Sequence, residues 1–591
     1  MEEEPRIGVF VCNCGINIGG VVNVEEVAEY ATTLPNVVVS RSSLYTCSDR
    51  GQGMIKDDID EFKLNRVIVA SCSPRMHEPT FRKVIEEKGL NKYVFEQANL
   101  REHVSWVHSK QPEEATKKAK DLVRMAVAKA RLLESLPQHL VDVKGEALVI
   151  GGGISGLTAA KSIADRGFKV HLVEKTPNFG GKMAQLYKVF PTFDDPQELL
   201  NPLVEDIMAH PNITPYLSAE IADIEGYIGN YRAIIREQTE EKEIEFGTII
   251  VATGFNAYDP NGEFKYGKHQ NILTAMELHQ LMRADGPTQG NLVTPAEGKP
   301  PRSIALISCV GSRQNENTVP EGKKPNAYCS RVCCTGMIAT GMEIKEKSPD
   351  ADIFVLYRDL RTHGKGHEEL FTEFRQTGST MIRYTDDQLP MISSTQGAEY
   401  PLSVTSYDSL SGLNVEIPVD LVVLATGMIP DDSASNIASK LHITISADGF
   451  FQELHPKLAP LDSVTDGVYL AGTAQGPKDV PDSVSQSLGA AAKACAPMAL
   501  GQVEVESTIA VIDEDFCTGC GVCQGSCEFS AIVFEERDEG KKVSKVIEAL
   551  CKGCGTCGSS CPSAAITMLH FKDAQLDAMV KAALTPQAGE K

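Results

Sequence analysis

Sixteen of the seventeen cysteines in this 591-residue chain fall into sets of four. Two sets stand near the C-terminus: Cys517, Cys520, Cys523 and Cys527, then Cys551, Cys554, Cys557 and Cys561, followed by Pro562. Each reads C-x2-C-x2-C-x3-C. That spacing lets a short loop wrap one cubane [4Fe-4S] cluster and lend its fourth thiolate to a second. The two halves, DEDFCTGCGVCQGSCEFSAIVF and IEALCKGCGTCGSSCPSAAITM, resemble each other and read as an internal duplication. A chain built this way is wired for single electrons.

The length predicts roughly three to five domains. A net charge of −23 argues against nucleic acid, whose phosphates call for basic stripes. No apolar run is long enough to span a bilayer. The start, MEEEPRIGVF, has an acidic head and no signal-peptide layout. So many cysteines in such a chain imply metal or redox chemistry rather than structural disulfides. The expected location is the cytoplasm of an anaerobic or microaerobic cell.

A buried-strand run, Leu148-Val149-Ile150, leads into Gly151-Gly152-Gly153-Ile154-Ser155-Gly156 and then a helix. This is G-x-G-x-x-G: Gly151 for the turn, Gly153 for close approach to a pyrophosphate, Gly156 for helix–strand packing. The helix start, at Ile154 and Ser155, offers N–H groups to phosphate. Glu174 ends the next strand, where an acid holds ribose hydroxyls. Three features point to FAD rather than NAD. Glu174-Lys175 is followed by a glycine-bearing loop containing Gly181 and Lys182. Two strands end in Ala-Thr-Gly, at Ala252-Thr253-Gly254 and Ala425-Thr426-Gly427. A late strand–loop–helix, 466–491, carries Gly472 and Ser485. The stretch 145–500 resembles the two-dinucleotide-binding-domain flavoproteins of the thioredoxin-reductase and glutathione-reductase type. Where a nicotinamide-binding glycine motif would open the second domain, this chain has Ile307-Ser308-Cys309-Val310-Gly311-Ser312-Arg313. A nicotinamide site is therefore not expected there.

Cys309 is followed by Cys329, Cys333 and Cys334. Four thiolates in one domain suit a cubane cluster; structural zinc fits the ligand count, and buried unliganded thiols are a further reading. Cys12, Cys14, Cys47 and Cys72 are spaced widely, and spacing alone leaves a metal site and buried free thiols equally open. Cys495, in AAKACAPM, reads as a packed helix residue.

The runs VASCSPRMHEPTF and NLREHVSWVH, with CVGSR, YCSRVCC, YRDLRTHGKGHEE and the terminal eight-cysteine unit, are similar to the A-type subunit of heterodisulfide reductase across nearly the whole chain. The resemblance implies that Cys12, Cys14, Cys47 and Cys72 ligate a cluster, and the Cys309 set likewise. About four [4Fe-4S] clusters and one FAD would then be bound. It implies an α/β protein with a thioredoxin-reductase-like FAD-binding core, a small N-terminal α/β iron–sulfur domain and a C-terminal α+β bacterial-type ferredoxin domain. The expected boundaries are 1–112 for the N-terminal iron–sulfur domain, 113–144 for a connecting helix and 145–300 for the first part of the FAD domain. A degenerate NAD-type domain follows at 301–400, the second part of the FAD domain at 401–503, the ferredoxin unit at 504–571 and a tail at 572–591.

The family implies a soluble complex that splits an electron pair at the flavin, one electron going to ferredoxin and the other to a heterodisulfide on a catalytic subunit. Expected partners are B- and C-type subunits, ferredoxin, a second copy of the chain, and a hydrogenase, formate dehydrogenase or NADH-oxidising donor module. Some members carry an inserted ferredoxin domain, for which this chain has no spare cysteines. Lys365, in Arg361-Thr362-His363-Gly364-Lys365-Gly366-His367, matches the family run as a cation near flavin N5; the alternative is a solvated loop lysine. Competing functions are an NAD(P)H-dependent flavoprotein feeding clusters, as in the small subunit of glutamate synthase, and a non-bifurcating relay scaffold.

Overall fold

The computed structural model describes residues 4–585 apart from 317, 321, 396, 538 and 539. The chain divides into two compact units. One combines the two ends of the chain, Met1–Val141 with Glu504–Lys591; the other is Asp142–Val503.

The first unit is built on four parallel strands in the order Val37–Ser43, Ile7–Cys12, Arg66–Ser71 and Phe95–Asn99. Ile7–Cys12 is buried along its whole length, as a central strand covered on both faces must be. The helix Pro112–Ala130 places Ala115, Ala119, Val123, Ala126 and Ala130 at helical spacing into the core that holds Val9 and Ile68. It is thus an element of this unit, whereas the sequence suggested a connector. The C-terminal part pairs Ala510–Ile512 with Ile566–Met568 and Ile532–Glu536 with Lys542–Val546, both antiparallel.

Polar contacts fasten this part to the first sheet. Tyr93 accepts the Ser507 N–H at 2.9 Å, and Arg82 pairs with Glu506 at 3.0 Å. Lys129, 1% exposed, lies 2.7 Å from Glu96, and His570 Nε2 lies 3.4 Å from the same carboxylate oxygen. The final helix, Asp573–Leu584, runs against Pro112–Ala130: Gln575 donates to the Leu132 carbonyl and Arg124 to that of Ala582.

The second unit repeats one plan twice. Its first parallel sheet runs Val468–Leu470, Thr248–Val251, Glu146–Ile150, Lys169–Glu174, Ile213–Leu217. Helices Ile154–Ala164 and Val480–Leu500 cover one face, and the meander Ala219–Tyr227, Asn230–Glu237, Glu240–Phe246 covers the other. Its second sheet runs Ile272–Thr274, Leu421–Thr426, Ser303–Val310, Asp352–Tyr357, Thr380–Arg383. Helix Cys333–Lys347 lies on one side and the meander Met391–Ser394, Leu402–Asp408, Leu413–Val419 on the other.

The expected division at 400/401 therefore falls inside a meander. Met391–Ser394 pairs with Leu402–Asp408, and Leu421–Thr426 is an inner strand of the second sheet, so the return to the first sheet comes later. Likewise the second sheet already begins at Ile272–Thr274, before residue 301. Among the described residues no helix is long and apolar enough to cross a membrane.

Candidate functional site

The dinucleotide cradle forms where Glu146–Ile150 gives way to Ile154–Ala164. Gly151 sits at φ +108°, and a Cβ there would come 2.3 Å from the Ala252 carbonyl oxygen. Gly156 is more confined still: its Cβ would lie 1.7 Å from the Gly151 oxygen. Gly153 is the opposite case, with nothing nearer to its missing Cβ than Gly181 Cα at 3.9 Å. It is the helix N-cap and has no side chain to satisfy the first N–H groups. An open approach in front of donors that lack partners fits a pyrophosphate.

Glu174 is 8% exposed. Its carboxylate accepts the Gly152 N–H at 2.6 Å and both the N–H and hydroxyl of Thr176 at 2.7 Å. About four lone-pair positions are available on a carboxylate, so room for a ribose hydroxyl remains. Gly181, at φ +56°, lies beside this turn, and Lys182 precedes the short helix Met183–Gln185. Lys175 instead holds Asp431 at 2.8 Å.

Ala252 follows Thr248–Val251, and the Thr253 hydroxyl is buried with no hydrogen-bond partner. Gly254 is open toward Thr473. An orphaned buried hydroxyl beside a glycine cradle fits a polar cofactor such as FAD. Gly472, at φ +64°, packs so closely that a Cβ would meet Ser155 Oγ at 2.0 Å.

Two expectations shift position. Thr426 and Gly427 end a strand of the second sheet: the Thr426 carbonyl faces Cys333 Sγ at 3.9 Å, and Gly427 N–H donates to Val310. They stand with the central cysteines rather than with the glycine turn. Ser485 is exposed, while Ser483, 3.8 Å from the position of a Gly472 Cβ, is buried. Two residues along a helix turn a side chain to the far face, so the helix phase selects Ser483.

Sequence reasoning also missed Lys478. It is held by the Gln475 side chain at 2.7 Å and the Gly476 carbonyl at 3.3 Å, and burial beside Arg331 brings its ammonium down to about 8. The run Gly-Pro-Lys-Asp before the Val480–Leu500 helix was the available signal. Lys365 is exposed on the loop between Asp352–Tyr357 and His367–Gln376. Nearby His363 contacts Arg331, and buried His367 contacts Thr335.

Cys309 is the last residue but one of Ser303–Val310, at φ +60°, and Cys333 and Cys334 open Cys333–Lys347, with Cys329 between. Burial raises the Cys309 thiol, against the guanidiniums of Arg358 and Arg313. Burial and then Cys309, Cys334 and Cys329 push the Cys333 thiol up, as a convergent quartet would. Cys334 is pushed up to about 11, again by burial. This quartet lies at the carboxyl edge of the second sheet, where a second dinucleotide would bind in a fold of this kind.

The N-terminal quartet forms at the corresponding edge of the first unit. Cys12 ends Ile7–Cys12, Cys72 follows Arg66–Ser71, and Cys14 and Cys47 lie on the adjoining loops. Cys12 Sγ accepts the N–H groups of Cys14 and Thr46 at 3.3 and 3.4 Å. Arg101 reaches Cys14 Sγ at 3.7 Å. Burial sends the Cys72 thiol up to about 11, with Arg101 opposing.

In the C-terminal part the thiols sort into two cavities. Cys527 joins Cys551, Cys554 and Cys557 around one; Cys561 joins Cys517, Cys520 and Cys523 around the other. Each half thus gives its last cysteine to its neighbour. The N–H groups of Ala531, Ser544 and Ala510 donate to Cys527, Cys517 and Cys551 at 3.3 to 3.5 Å. Among the described residues no three His, Cys, Asp or Glu side chains close on a single ion. Cys495 is packed in the first sheet's helical layer.

Residues 145–290 match the family described as pyridine nucleotide-disulphide oxidoreductase, and residues 510–568 match the 4Fe-4S dicluster domain. The chain is 44% identical to the A-type subunit of the H(2):CoB-CoM heterodisulfide,ferredoxin reductase of Methanothermobacter marburgensis, covering 100% of this chain and 99% of the relative. It is 45% identical to the second of two A-type iron-sulfur subunits of the CoB--CoM heterodisulfide reductase of Methanopyrus kandleri, covering 99% and 100%. Among solved structures, Lactococcus lactis thioredoxin reductase aligns at TM-score 0.41 and 17% identity, over 60% of this chain and 99% of its own.

Proposed function

Because the chain belongs to the family of heterodisulfide reductase A-type subunits, we propose that it splits electron pairs between ferredoxin and a disulfide held by partner subunits. It is an oxidoreductase subunit whose cofactors are FAD and [4Fe-4S] clusters. FAD supplies exchange between paired and single electrons, and each cluster carries one electron at a time.

The chain's own residues have separable tasks. Gly153 leaves room for the pyrophosphate, and the N–H groups of Ile154 and Ser155 are aimed toward it. Glu174 takes the ribose hydroxyls. Thr253 and Gly254 border the same cradle from the neighbouring strand, and Gly472 brings the helix Val480–Leu500 against it. Four thiolate quartets hold clusters in this reading: Cys12, Cys14, Cys47 and Cys72; Cys309, Cys329, Cys333 and Cys334; and the two exchanged sets at the C-terminus. Lys365 is the proposed cation beside the flavin's reactive edge. Its exposure leaves the solvated lysine as the competing role, and Lys365→Met separates them: coupled turnover and flavin potential fall in the first case and stay in the second.

The observation that carries this reading is the second sheet. Its carboxyl edge holds Cys309, Cys329, Cys333 and Cys334 in place of a glycine turn, which favours a cluster over a nicotinamide. The proposed partners are B- and C-type subunits, ferredoxin, a second copy of the chain and a donor module of hydrogenase, formate dehydrogenase or NADH-oxidising type, in the cytoplasm. Anaerobic assay of the assembled complex tests the proposal. Ferredoxin reduction should require simultaneous disulfide reduction; uncoupled ferredoxin reduction would leave only the relay reading. Bleaching of the flavin by NADH alone would favour the glutamate-synthase-type alternative.

A further inference from the structure

The central quartet is framed by arginine, and one of these arginines lacks a sufficient partner. Arg358 directly follows Asp352–Tyr357, and its side chain is 5% exposed. Nη1 donates to the Arg313 carbonyl at 2.7 Å and lies 3.2 Å from Asp386 Oδ1. Asp386 is 53% exposed, so water weakens that pair. The guanidinium also lies 5.6 Å from the centre of the Tyr384 ring, whose hydroxyl donates to the carbonyl of Ser308, the residue before Cys309. Nε is buried with no hydrogen-bond partner.

A buried cationic nitrogen without an acceptor is costly, and native structures rarely leave one. Neighbouring Arg313 presents no such gap. It holds Asp359 at 2.9 Å, and Asp359 also takes Arg383 at 2.8 Å. At Arg358, Asp386 answers Nη1 alone, so Nε is left with a place for an anion beside it. The carbonyl of Asp359, the next residue, lies 3.4 Å from Cys334 Sγ, and Tyr384 binds the residue before Cys309, so Arg358 stands beside the segments that carry two of the four thiols. Four thiolates around a cubane make a net anion that gains one further negative charge on reduction. A fixed buried cation stabilises the more negative state more strongly.

We propose that Arg358 sets the reduction potential of a cluster held by Cys309, Cys329, Cys333 and Cys334, raising it so that this cluster accepts an electron more readily. This rests on the reading of the quartet as a cluster site. The couple moves one electron and no proton, since guanidinium keeps its charge. Arg358 is a positioning residue for charge, with no bond to iron.

Anaerobic redox titration of the full holoprotein, followed by electron paramagnetic resonance, tests the idea. Cys309→Ser first identifies the signal. If it leaves iron content and every signal unchanged, the cluster reading fails, and this inference with it. If it removes one signal, Arg358→Gln should then lower that signal's midpoint. The expected size is at least a tenfold change in the reduced-to-oxidised ratio at fixed potential, or 59 mV for a one-electron couple. Arg358→Lys should restore more than half of it. Asp386→Asn, on a half-exposed side chain, should move the midpoint upward. A midpoint for Arg358→Gln within threefold of wild type, with iron retained, overturns the proposal. Should Arg358→Gln fail to load iron, the Asp386→Asn shift decides: upward supports the proposal, and none or downward overturns it.

Discussion

Gly153 and Gly156 are three positions apart and make opposite demands on a Cβ. Gly153→Ala adds a methyl to open space at an ordinary backbone angle, φ −78°. The fold should persist while flavin content falls, read as unchanged apoprotein melting with loss of yellow colour on purification. Gly156→Ala drives a methyl into the Gly151 carbonyl and should cost about 3 kcal/mol or more. A second residue-scale prediction concerns the buried Lys129–Glu96 pair. Burial alone would raise the Glu96 carboxyl, but His570 and Lys129 outweigh it and hold it below the ordinary carboxylate range. A lowered folded-state value stabilises the fold above the ordinary carboxylate pKa, and the gain disappears as pH falls through the folded value. Lys129→Met should cost about 3–5 kcal/mol at neutral pH. The single tryptophan, Trp106, lies in the same unit and gives the unfolding readout. At this scale the sequence was legible wherever a residue's role is local. Glu174 ends a strand, and Gly151 must turn. Arg358 was not legible, because its meaning depends on what two distant segments, around Arg313 and at Tyr384–Asp386, bring to it. Ser485 was misplaced for want of the helix's rotational phase.

Elements tell a similar story for the cysteine sets. The C-terminal spacing already implied exchanged fourth ligands, and the cavities pair Cys527 with Cys551, Cys554 and Cys557. Cys527→Ser and Cys551→Ser should therefore perturb the same paramagnetic signal, with Cys561→Ser and Cys517→Ser altering the other. Grouping by sequence order instead would contradict the arrangement. The N-terminal quartet was legible only through resemblance, because its members ride on strand ends brought together by parallel pairing of distant segments. The second meander hid the 400/401 boundary for a related reason. Antiparallel strands of alternating burial read alike whichever sheet they cover, and only the register assigns them.

On the scale of the molecule, the two-unit division makes its own prediction. A chain shortened to residues 142–503 should fold and bind FAD, since its cores are internal. One shortened to residues 1–141 should not fold stably, because Glu96, Lys129, Tyr93 and Arg82 would lose His570, Phe571, Ser507 and Glu506 respectively. Hydrogen exchange on both fragments checks this; slow exchange in the 1–141 fragment would show that the ends are independent. The interleaving bears on biosynthesis. Roughly 360 residues separate the end of the N-terminal segment from its complement. At about 5–20 residues per second, a ribosome needs on the order of 20–70 seconds to cross that gap. For that interval the nascent N-terminal sheet carries Cys12, Cys14, Cys47 and Cys72 beside an unfinished core, so a cluster held there as proposed would have to be delivered by a chaperone or await the C-terminal complement.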